Sequence, residues 1–72
     1  MFRATIELDD GNPFRFSGQP VPYDLQILRQ HVLARAGRVR QVELRLARDQ
    51  RAAVASVLRE LEGRGVRVVL RP

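Results

Sequence analysis

RQVELRLARDQRAAVASVLRELEGRGVRVVL, residues 40–70, decides the fold. Within it Val42, Leu44 and Leu46 alternate with Gln41, Glu43 and Arg45, the period of two that marks a strand with one buried face. Val54, Val57, Leu58 and Leu61 then recur at i, i+3, i+4 and i+7, the spacing of an apolar helix stripe, and Asp49 is placed to cap the helix start. Gly63-Arg64-Gly65 stops that helix, and Val66, Val68 and Leu70 alternate with Arg67, Val69 and Arg71 in a second strand. Strand, helix and strand within about thirty residues is the spacing of a parallel βαβ unit.

Upstream, Phe2, Ala4, Ile6 and Leu8 alternate with Arg3, Thr5, Glu7 and Asp9, which predicts another half-buried strand. Asp9-Asp10-Gly11-Asn12-Pro13 is a turn cluster, and Phe14-Arg15-Phe16-Ser17 alternates again. In a hairpin, facing residues share a face. A two-residue Asp10-Gly11 turn sets Ile6 against Arg15, whereas an odd-length loop sets Leu8 against Phe14 and Ile6 against Phe16, and the second register is expected. Pro13 has no N–H for a ladder, so this second strand is expected at a sheet edge. Gly18-Gln19-Pro20-Val21-Pro22 breaks the chain before a helix expected over Asp24 to Ala36, capped by Asp24 and closed by Gly37. Its stripe is Leu25, Leu28, Val32 and Ala36, flanked by Leu33; Arg29 falls inside the arc and must reach the rim or an acid.

The order ββαβαβ, with every strand alternating instead of running continuously apolar, predicts a sheet covered on one face only. Two right-handed crossovers advancing in one direction bring both helices to that face. The expected fold is an α+β, two-layer sandwich: a four-stranded mixed sheet, both helices behind it, and an open face in front. Residues 1–72 form one small domain, near the lower size limit for a self-sufficient core. This element order is similar to that of small regulatory modules such as the N-terminal domains of septum-site inhibitors, a likeness of topology that transfers no residue role.

All thirteen basic side chains are arginine, against eight acids, for a net charge of +5. Arginine carries a fixed charge on a planar fork that fits carboxylates and phosphates. A genome rich in G and C yields the same bias, along with alanine, glycine, valine and leucine. Cysteine is absent, so neither disulfides nor thiolate-held zinc are expected. The first residues, Met1 to Glu7, lack an apolar stretch of signal length, and the cytoplasm is the expected compartment. No cofactor, metal, membrane or small-molecule ligand is expected.

Three features bear on function. The open face carries Arg3, Arg15, Arg45, Arg67 and Arg71 together with Glu7, Asp9 and Glu43. Single-strand platforms stack bases on exposed aromatics, yet Phe2, Phe14 and Phe16 all have core parity and Tyr23 lies beside the first helix. Second, Ala52, Ala53 and Ser56, with Ala55, make a smooth outer face on the second helix that permits close approach of a partner; Ile27 and Ala34 form a fainter patch on the first. Third, His31 is the one histidine and reads as a surface residue with no nucleophile tied to it. Gly63-Arg64-Gly65 follows a helix, so it presents free carbonyls and no phosphate cradle. The expected function is therefore that of a non-enzymatic, self-associating interaction module whose partner is another protein or a second copy. The alternative is a nucleic-acid accessory protein using arginines as phosphate contacts, with weak binding expected.

Overall fold

The computed structural model describes residues 1–72. The strands are β1 (Phe2–Leu8), β2 (Phe14–Gly18), β3 (Val39–Arg45) and β4 (Val68–Arg71); the helices are α1 (Pro22–Leu33) and α2 (Arg51–Gly63). The element order is ββαβαβ, and the sheet order is β2-β1-β3-β4. β1 runs antiparallel to both its neighbours, and β3 pairs with β4 in parallel. α1 thus crosses from β2 over β1 to β3, and α2 makes the tighter βαβ link between β3 and β4. The edges are β2 and β4, the first as Pro13 predicts.

One cluster joins Phe2, Ala4, Ile6 and Leu8 of β1, Val42, Leu44 and Leu46 of and just after β3, Leu25, Leu28 and Val32 of α1, and Val54, Leu58 and Leu61 of α2. Every strand residue in it shares one parity, so both helices cover the same face. Val57, Val66, Val68 and Leu70 are half-buried around it, as are Phe14 and Phe16. Arg29 resolves its position inside the α1 arc by meeting Glu60 of α2, with Nε 2.7 Å from both carboxylate oxygens. The hydrogen bond from Arg29 holds the Glu60 carboxyl below its ordinary range, against a smaller opposing effect of desolvation.

Four details depart from expectation. The hairpin register is shifted by two residues: Ile6 faces Phe14 and Ala4 faces Phe16. Parity survives, but the β1–β2 pairing ends at Ile6 and Phe14, so Leu8 has a partner only on the β3 side, Val39, and the loop around Gly11, whose φ is +82°, is wider. Helix α1 begins at Pro22, because a proline at the first helical position has the right φ and needs no N–H. Asp24 lies inside that first turn and accepts the Gln19 N–H at 2.7 Å instead of capping the helix. At its other end the bonds tighten to i→i−3, Arg35 to Val32 and Ala36 to Leu33, so the helix stops at Leu33 and Ala36 is exposed. Asp49 also makes no cap: a 3₁₀ turn at Arg48–Gln50 leads into α2, braced by the Ala47 N–H on Gln50 Oε1 at 3.1 Å. The far end of α2 closes as expected. Val66 N–H bonds to Leu61 C=O, Gly65 N–H to Glu62 C=O, and Gly65 takes φ +84°, a conformation that suits glycine.

Candidate functional site

The open face of the sheet is built by the residues that alternate with the core. Register places Ser17, Arg3, Arg45 and Arg71 in one row across all four strands, and Arg15, Thr5, Glu43 and Val69 in the next. Three arginines on three adjacent strands therefore stand side by side. Glu43 offsets two of them: its carboxylate oxygens lie 3.2 Å from Arg45 Nε and 3.7 Å from Arg71 Nε. Arg67, just before β4, is exposed and directs its carbonyl to the Val42 N–H at 2.8 Å. Arg3, Arg15 and Arg67 have no acid within ion-pair distance.

Asp9 does not join this face. It sits past the end of β1, where Asp9 and Asp10 pair with Arg38 at 3.9 and 3.3 Å. Arg40, by contrast, joins without having been expected. Between Glu7 and Leu8 the pairing with β3 shifts from Gln41 to Val39, a bulge that absorbs Arg40. The bulge turns Arg40 out, although strict alternation gives it core parity. It then lines an open groove of about 360 Å³ with Thr5, Glu7, Gly11, Pro13 and Arg15. Only the pairing of Leu8 with Val39, both apolar, hints at this in the sequence.

No aromatic ring lies on the open face. Phe2 is buried, and Phe14 and Phe16 pack on the opposite side with His31, whose ring centroid is 4.6 Å from Phe14 and 5.5 Å from Phe16. His31 is thus half-buried between α1 and β2 and is not the free surface residue expected. Arg35 closes this stack, its guanidinium 3.9 Å from the Phe14 centroid and its Nη1 donating to the His31 carbonyl. Tyr23 is 73% exposed at the start of α1, away from any ring partner.

On α2, Ala52, Ala53 and Ser56 are exposed, while Ala55 is half-buried. Ala34, just past the end of α1, is exposed and Ile27 on α1 is half-buried, which reduces that patch to one small residue. No helix is long and apolar enough to cross a membrane. No protein-family model, curated protein or solved structure matches the chain, so its likeness to septum-site inhibitor domains rests on element order alone.

Proposed function

We propose that the chain is a small non-enzymatic interaction module of the cytoplasm whose open sheet face receives an acidic protein surface. One observation carries this reading: six arginines (Arg3, Arg15, Arg40, Arg45, Arg67 and Arg71) share that face with two acids, Glu7 and Glu43, leaving a net +4 of the chain's +5 there. Charge collected on one rigid face steers an oppositely charged partner and sets its orientation. Another chain fits better than a second copy, because two copies bring the same arginines to the contact. The nucleic-acid reading is weaker, since the open face offers bases no ring on which to stack.

Titration of the labelled protein with polyglutamate, followed by amide chemical shifts, tests the proposal. Shifts confined to the sheet, with the helices unaffected, and reduced by the paired reversals Arg3→Glu and Arg45→Glu, are expected. A DNA or RNA complex that persists near physiological salt while polyglutamate fails to bind would replace this reading with the phosphate-contact one.

A further inference from the structure

The carbonyls of Arg67 and Arg71 accept the N–H groups of Val42 and Leu46, at 2.8 and 3.1 Å. Successive strand residues turn their backbone groups to opposite sides, so Val68 and Leu70 direct N–H and C=O away from the sheet. Nothing in the chain lies beyond β4 in the strand order. The edge is therefore a free template of two residues, and its side chains are half-covered: Val68 and Leu70 toward the core side, Val69 on the open face. Arg67 and Arg71 bracket Val69 on that same face.

A free edge with apolar residues invites a second copy, but this one is set against itself. An antiparallel two-fold pairing centred on Val69 puts each Arg67 directly across from Arg71 of the other copy, and like charges directly opposite are destabilising. Sliding the centre to Leu70 parts the arginines but brings Pro72, which has no N–H, opposite Val68, and sliding it to Val68 calls on the Val66 N–H, already given to the Leu61 carbonyl, so the ladder breaks in either case. β2 is a poorer template, since Pro13 precedes it and Arg35 stacks over Phe14.

We propose that the β4 edge takes up an extended segment of another protein with the pattern acid–apolar–any–apolar–acid, added as a fifth strand. The acids face Arg67 and Arg71, the two apolar residues cover Val68 and Leu70, and the central residue lies beside Val69. The segment adds antiparallel, so the residues opposite Val68 and Leu70 turn their own N–H and C=O groups to β4. This inference rests on the reading of the open face as a site for acidic protein, and adds where the partner lies and what it looks like.

The test uses a fluorescent peptide containing Glu-Val-Thr-Val-Glu and the intact protein near physiological ionic strength. Saturable binding is expected, weakened about tenfold or more by replacing both glutamates with glutamine, and again by N-methylating the two valines, whose amides face β4. The double reversal Arg67→Glu and Arg71→Glu should exchange the preference, rejecting the glutamate peptide and taking its lysine counterpart. Binding that ignores N-methylation and shifts only residues of β1 and β3 would overturn the edge while sparing the open-face proposal. Failure of both this peptide and polyglutamate would overturn both. A dimer in sedimentation equilibrium whose formation protects the Val68 and Leu70 amides from hydrogen exchange would show the occupant to be a second copy, and overturn the edge inference alone.

Discussion

Ala4, Leu44 and Leu70 lie in one row on the covered face, on β1, β3 and β4 in turn. Leu44 is fully buried at the centre, whereas Leu70 is half-buried at the edge. Truncating Leu44 to alanine leaves a hole beside Ala4, whose single methyl cannot reach into it, and the surrounding strands are fixed by their ladders. The full cost of a buried leucine then applies, about 3–5 kcal/mol, against about 1–2 kcal/mol for Leu70→Ala. A chain of 72 residues carries roughly 4–11 kcal/mol in total, so Leu44→Ala takes a large share of it. At about 4–8 °C per kcal/mol the melting temperature should fall by roughly 12 °C or more. Urea unfolding followed by far-ultraviolet circular dichroism, with the parent, Leu44→Ala and Leu70→Ala fitted to a common slope, reads the difference. A Leu44→Ala cost below about 1 kcal/mol, or no greater than that of Leu70→Ala, would refute the placement of the helices over this row and of β4 at its rim.

Four further outcomes follow from the same structure. Glu60, whose carboxyl is held low by the hydrogen bond from Arg29, stabilises the fold above the ordinary carboxylate range and loses that contribution as pH falls through its lowered value; Glu60→Gln should flatten the acid limb of a stability–pH curve. A Cβ at Gly18 would lie 3.0–3.2 Å from Asp24 atoms and displace the carboxylate that accepts the Gln19 N–H, so Gly18→Ala should cost about 0.5–2 kcal/mol. Gly63, helical with open space around it, should instead gain up to about 1 kcal/mol on Gly63→Ala in the same unfolding assay. Binding to DNA or RNA should be weak and lost at moderate salt; persistence with a steep log–log salt slope, abolished by Arg45→Glu with Arg67→Glu, would contradict the protein-partner reading.

The layers were legible because their signals are periodic and redundant. Alternation in four segments and the stripe of Val54, Leu58 and Leu61 each point to the same covered face, and one error in spacing would not move the others. Register was legible only to parity. Placing Ile6 against Phe14 or against Phe16 buries the same faces, so the alternation of the two strands does not separate the registers. The helix starts depart from the local signals for a related reason. Aspartate before an apolar stripe is a good cap in isolation, but Asp24 is drawn to the Gln19 N–H by the fold of the preceding loop, and Pro22 starts the helix without a cap.

The candidate site divides along the same line. Arg3, Arg15, Arg45, Arg67 and Arg71 reach the open face because alternation alone carries them there. Their grouping into a row, and the sharing of Glu43 by two of them, depend on strand order, which no local pattern contains. Arg40 needed the bulge, and Asp9 needed Arg38. The β4 edge shows what this division means for function. The sequence Arg67-Val68-Val69-Leu70-Arg71 is the same whether β4 is central or outermost, and only in the second case do its arginines have room for a partner. As a central strand it would need acids on both neighbours; as an edge it has Glu43 on one side, shared with Arg45, and an open ladder on the other. On the proposed reading, specificity at this surface comes from a half-buried acid of β3 offsetting part of the charge and a free edge exposing the rest, so Glu43→Gln should broaden the range of anions bound in titrations more than it strengthens any one of them.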